Sequence, residues 1–165
     1  MQILLLLTFL VNTAVLVTVT PSKSSAQQHH TASAPLKDWL ASPAGEVRVT
    51  EQVLTVGGRV ILTADGGFWG PVPNLHAAVP AGSPAVVLVQ FPGGTACEAT
   101  YRVLDLTSSP PTVTAEFGTC SDLATLAWTG RQATISMPGR RGPGRWTYQP
   151  GTNGRPGSLT EERRR

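Results

Sequence analysis

Few residues in this chain could support chemistry. The single histidine beyond the leader region, His76, could stand with Ser121 or Ser83 and with Asp122 or Asp105 as a Ser-His-Asp hydrolase, its imidazole taking the serine proton. No G-x-S-x-G elbow accompanies them, and His76 falls in a stretch rich in Gly and Pro. Glu98, Glu116, Asp105 and Asp122 supply carboxylates of the kind that work in pairs on a glycosidic bond. In the strand pairing that the cysteines suggest, however, Glu98 opposes Thr119 and Glu116 lies beside Tyr101, which is ordinary surface patterning. Gly66-Gly67 and Gly93-Gly94 are turn glycines, and neither pair opens a helix that would cradle a phosphate. The expectation is a protein with no catalytic residue and no cofactor. No metal is expected either, because Cys97, Cys120 and His76 are too few ligands for a closed zinc site.

Two features suit binding instead. Arg102 shares a strand face with Leu104, where a bare charge is costly without a carboxylate or an anionic ligand. The plainer reading is a guanidinium reaching the sheet edge or paired with Asp122. Phe68-Trp69 sits in a Gly/Pro-rich loop, where an exposed pair would stack on a sugar or a partner chain and a buried one would plug the end of a sandwich.

Residues 3–19 form an apolar run broken only by Thr and Asn, followed by small polar residues, which reads as a secretory signal peptide cleaved after Ala26. The alternative is an uncleaved anchor, since that length is near the lower limit for spanning a bilayer, with Lys23 flanking its far end. No Cys follows the run, so an acylated anchor is unsupported. Either way the remainder leaves the cytoplasm, to the periplasm or outside the cell, and two cysteines in an exported chain predict one disulfide, Cys97 to Cys120.

With 17 Gly and 14 Pro in 165 residues and no sustained 3.6-residue apolar period after residue 44, a helical bundle is excluded. Residues 27–45, which include His29 and His30, read as a polar linker that docks through Trp39. From residue 46 to 162, short β-branched and aromatic runs bounded by Gly and Pro predict antiparallel strands of a single domain. Residues 52–56 and 59–63 make a hairpin about Gly57-Gly58, with Leu54 opposing Ile61 and Val53 opposing Leu62. Residues 64–84 read as a long loop with a short extended piece. Residues 85–91 are apolar throughout and predict a central strand buried on both sides, ended by Pro92-Gly93-Gly94.

Pairing residues 98–106 with 111–117 through a four-residue loop makes opposed residue numbers add to 217, and Cys97 and Cys120 add to the same value. One register therefore serves both the loop and the disulfide, and it sets Thr100 opposite Phe117 and Tyr101 opposite Glu116. Residues 123–128 and 132–137 predict a further hairpin, with Ala133, Ile135 and Met137 inward. From Gly139 the chain holds seven Arg and two Glu, a net +5, against a net −3 for residues 27–138. A basic end of that kind suits nucleic acid or anionic lipid. Residues 145–149, with Trp146 and Tyr148 on one face, nonetheless predict a final hairpin with residues 158–161, leaving residues 163–165 as a frayed, solvated end.

The segments Gly94-Thr-Ala-Cys97, Tyr101-Arg-Val-Leu-Asp-Leu106 and Phe117-Gly-Thr-Cys-Ser-Asp-Leu123, followed by Met137-Pro138, resemble a type of small exported bacterial protein of uncharacterised function. In these proteins a G-x-x-C segment, a Tyr-containing strand and an F-G-x-C-S-D segment recur. The resemblance implies a periplasmic or secreted β-rich protein and transfers no catalytic residue. The resulting expectation is an all-β antiparallel sandwich or open barrel of seven to nine short strands with one disulfide. It is expected to act as a non-catalytic envelope or secreted module with a binding or structural role, its partner a protein or glycan, monomeric, without nucleic acid and without a stable membrane span after leader cleavage. The competing readings are a secreted hydrolase with a site near His76 or Glu98, and an inhibitor of an extracytoplasmic enzyme that inserts Phe68-Trp69.

Overall fold

A computed structural model describes the backbone of residues 30–32 and the whole of residues 36, 38–63, 72–152 and 155–162. The leader, Phe68, Trp69 and the terminal arginines lie outside the described residues. The structure is all-β, with strands β1 (His30–Ala32), β2 (Trp39–Leu40), β3 (Val47–Thr50), β4 (Val53–Val56), β5 (Arg59–Thr63), β6 (Asn74–Val79) and β7 (Val86–Gly94). They are followed by β8 (Cys97–Asp105), β9 (Thr112–Val113), β10 (Thr125–Trp128), β11 (Ala133–Met137), β12 (Gly144–Gln149) and β13 (Ser158–Glu161). Among the described residues no helix is long and apolar enough to cross a membrane.

The strands form three antiparallel sheets, ordered β1-β10-β11-β12-β13, β2-β3-β4-β5 and β6-β7-β8-β9, and none closes into a barrel. The third sheet is the middle layer. Its strand β7 buries Val86, Val87, Leu88 and Val89 completely, at 0% exposure. Val86 and Leu88 pack with Ala99, Tyr101 and Val103 against Leu126, Ile135, Met137, Trp146 and Tyr148 of the five-stranded sheet. Val87, Val89 and Phe91 face the other way, with Leu104, onto Val47, Val49, Leu54 and Val56. Alternation along one apolar run thus feeds two cores, because each face of the sheet has its own cover. The sandwich therefore has two outer layers about this sheet instead of one partner.

There are more strands than the seven to nine expected. The segment read as a linker supplies β1 and β2, with β1 on the edge of β10 and β2 on the edge of β3. Trp39 itself is exposed, and docking goes through Leu36, Leu40 and Ala44, which pack against the core around Val47 and Val87, and through backbone bonds, Leu36 N–H to the Leu75 carbonyl and Val49 N–H to the Asp38 carbonyl. The stretch read as a long loop contains the six-residue β6, paired with β7, in which Leu75, Ala77 and Val79 are buried. Alanines and flanking prolines disguise it as a loop, whereas burial against both cores makes it a strand.

Several registers depart from simple alternation. In the β4–β5 hairpin Thr55 faces Val60 as expected, but a bulge then sets Leu54 opposite Leu62 and Val53 opposite Thr63. Strand β7 continues through Pro92 and Gly93 to Gly94, which faces Cys97. Proline is tolerated there because β6 pairs only as far as Gln90, so the imino nitrogen lies on an open edge. Leu104 faces Val113 as expected, but Phe117 bridges Tyr101 instead of Thr100. The slip carries Phe117 off the Arg102 face into the first core, where its ring lies 6.5 Å from Tyr101 and 5.3 Å from Trp146. Beyond Cys120 the expected hairpins form, β10 with β11 and β12 with β13.

Among the described residues Asp105 is the buried charged one, at 0% exposure. Its Oδ1 accepts from Thr107 N–H (2.8 Å) and the Thr107 hydroxyl (2.6 Å), and its Oδ2 from the Tyr148 hydroxyl (2.8 Å) and Gly151 N–H (2.9 Å). This carboxylate ties the end of β8 to the loop after β12. Burial, then the bond to Asp105 and its charge, push the Tyr148 phenol far above its ordinary range. Burial also raises Tyr101, against the opposing bond from Gln90. Both phenols are therefore neutral in the fold where the unfolded chain would begin to ionise, at about pH 10. Tyrosine ionisation should leave stability unchanged below that pH and lower it above, as the unfolded chain releases protons that the fold retains. Urea midpoints measured across this range should fall above about pH 10, and less steeply in Tyr148→Phe. Parallel profiles for the two proteins would contradict the assignment.

Candidate functional site

The disulfide forms between Cys97 and Cys120, with Cα atoms 4.5 Å apart. It clasps the base of the ribbon begun by β8, helped by Glu98 N–H donating to the Cys120 carbonyl. Cys120 takes a left-handed backbone conformation, φ 66°, which turns the chain out of the sheet just after the bridge. Oxidation answers the metal alternative for these two sulfurs. Among the described residues no group of three or more His, Cys, Asp or Glu could hold a metal.

Beside the bridge lies a cavity of about 560 Å³, between the end of β5 and the tip of the β7–β8 hairpin. Leu62, Phe91, Pro92 and Ala96 give it apolar walls, and Arg102 and Glu116 give it charge. Its floor depends on a close backbone approach, since a Cβ on Gly93 would come within 2.0 Å of the Cys97 carbonyl oxygen. Arg102 projects from β8 with its Cζ 5.4 Å from the centroid of the Phe91 ring, which attracts the cation through its electron-rich face.

The ion partner of Arg102 is Glu116, at 3.6 Å from Nη2 to Oε2, and not Asp122, one of the two plainer readings beside a guanidinium at the sheet edge. The register slip explains the change. With Phe117 bridged to Tyr101, the residue standing opposite Arg102 is Glu116 instead of Ala115. The pair does not satisfy the guanidinium: Arg102 Nε is buried without a hydrogen-bond partner. An orphaned donor of this kind costs about 1–3 kcal/mol. Sequence reasoning singled out Arg102 and named Glu116 only as one carboxylate among four; it missed their pairing, which depends on the slip, and Phe91, which depends on a neighbouring strand.

The candidate hydrolase residues are placed differently. His76 sits in β6 and not in a loop, as the extra residue of a bulge between Leu75 and Ala77. The bulge turns its side chain toward the first core, where Nε2 donates to the Ala124 carbonyl at 2.8 Å and the ring meets Tyr101 edge-on. Ser121 Oγ accepts from Leu123 N–H at 3.1 Å. Among the described residues no hydrogen bond joins His76 to a serine, aspartate or glutamate side chain. Of the four carboxylates, Asp105 is spent inside the fold and Glu116 on Arg102.

Glu98 and Asp122 line a second, wider depression of about 970 Å³ on the other side of the bridge. The turn between β11 and β12 forms its far wall, tied down where the Thr119 hydroxyl donates to the Pro138 carbonyl. Exposed Arg140 and Arg141 on that turn face a surface that also carries Glu161 and Glu162, so with Glu98 and Asp122 the depression is lined by four carboxylates and two guanidinium groups. No protein-family model matches the chain, nor does any curated protein or solved structure.

Proposed function

We propose that this chain is an exported β module of the cell envelope or the extracellular space that holds a ligand or partner and does not turn one over. The observation that carries the reading is the contrast between Arg102 and the three groups His76, Asp105 and Ser121. His76 Nε2, both carboxylate oxygens of Asp105 and Ser121 Oγ are engaged by the fold. Arg102 instead lines a cavity with an orphaned N–H and a single long ion pair. A cavity of this volume lies within the range of about 300–1,000 Å³ typical of small-molecule sites, and apolar walls with few charged groups are their usual lining. Export is supported by the apolar leader of residues 3–19 and by the oxidised cysteines, which persist outside the cytoplasm.

The test is a mixed library of small anions, cations, zwitterions and neutral compounds, screened against the purified oxidised protein by amide NMR. Saturable shifts at Phe91, Thr100 and Arg102, absent in Arg102→Gln, are the expected result. Turnover of an ester, peptide or glycan that is abolished by Ser121→Ala or Glu98→Gln would overturn the non-catalytic reading.

A further inference from the structure

Building on the assignment of this cavity as a binding site, we infer that it takes an α-amino acid with an apolar side chain, its carboxylate on the Arg102 guanidinium and its ammonium on the Glu116 carboxylate. Both charges line the same cavity, and both are reachable, with side-chain exposures of 31% and 48%. Their 3.6 Å separation is longer than a charge-assisted hydrogen bond of about 2.7–2.9 Å, so donors on one and lone pairs on the other are unspent.

The neighbouring charges select against simpler ligands. A lone anion drawn to Arg102 meets the like charge of Glu116, and a lone cation drawn to Glu116 meets that of Arg102. A zwitterion gives each its complement. Arg102 and Glu116 stand close together, which suits a ligand whose two charged groups are carried on one carbon. Among the described lining residues no third ionisable side chain is present, Cys97 being in the disulfide. What remains for the ligand side chain is Leu62, Pro92 and Ala96, over a Phe91 ring that is itself only 6% exposed. Those surfaces favour an apolar group.

The experiment titrates the oxidised protein with L-phenylalanine, 3-phenylpropionate and phenethylamine, read by amide NMR shifts around Phe91, Arg102 and Glu116. L-phenylalanine should bind about tenfold or more tightly than either analogue, the equivalent of one charge-assisted hydrogen bond. Glu116→Gln should weaken L-phenylalanine by about the same factor while leaving 3-phenylpropionate unchanged or tighter. Arg102→Gln should abolish binding of both, with the rest of its spectrum retained. Glu116 is half-exposed, so its variant keeps the test valid if the Arg102 variant fails to fold. Equal binding of 3-phenylpropionate and L-phenylalanine, or no cavity shifts with L-phenylalanine, overturns the inference. If another class from the mixed library occupies the cavity, the ligand class falls and the binding reading stands. If nothing occupies it, both fall.

Discussion

Asp105→Ala should lower the unfolding free energy by about 3–5 kcal/mol, a large fraction of what a domain of this size possesses. The carboxylate is wholly buried and accepts four hydrogen bonds, so its removal strands the buried Tyr148 hydroxyl and takes the acceptor from the exposed Thr107 and the part-buried Gly151 N–H. The Tyr148 hydroxyl suffers most, because its residue is buried in the first core. Two further variants separate this mechanism from loss of packing. Asp105→Asn keeps one acceptor oxygen but turns an amide N–H₂ toward donors, and should fall between wild type and alanine. Tyr148→Phe removes one donor together with its need for a partner, and should cost about 1 kcal/mol. Urea denaturation reads all three. An Asp105→Ala protein within about 1 kcal/mol of wild type would show that the four bonds contribute little net stability.

Removing the disulfide by Cys97→Ala with Cys120→Ala should cost about 3 kcal/mol, since the bridge closes a loop of 23 residues in the unfolded chain. The loss should be local before it is global. Residues after Phe117 leave the sheet through Gly118, whose φ is 142°, and through Cys120, and they have few ladder bonds of their own. Hydrogen exchange of the doubly substituted protein should therefore speed up first at Glu98, whose N–H donates to the Cys120 carbonyl. The buried amides of β7 should hold until global unfolding. Uniform acceleration across both cores, or a denaturation midpoint unmoved by reductant, would contradict a clasp of this kind.

The cysteine pairing was readable because one register satisfied a loop length and two sulfur positions together, and the bond does form. The ladder needed more than arithmetic. It keeps the expected register at Leu104 and Val113 and is one residue out at Tyr101 and Phe117. The chain absorbs an extra residue between those points because Phe117 then joins Tyr101 and Trp146 instead of crowding Arg102. No local preference marks such a slip. The bulges at His76 and in the β4–β5 hairpin are equally silent, being ordinary residues between ordinary strands.

Composition and alternation alone sufficed for an all-β chain, for the buried central strand β7, for the hairpins after Cys120 and for the cysteine pair, since each rests on neighbours close in sequence. A strand's own residues can show that both its faces are apolar. They cannot say whether one sheet or two will cover them, which is why the third layer, β6 and the strands within the supposed linker emerged only on folding. The candidate site divides in the same way. Arg102 stands out as a charge on an apolar face, whereas its Glu116 partner, the Phe91 ring beneath it and the cavity are set by register and by packing between strands. Those depend on the minimum of the whole chain's free energy, in which a one-residue slip costs little locally and redirects every side chain beyond it.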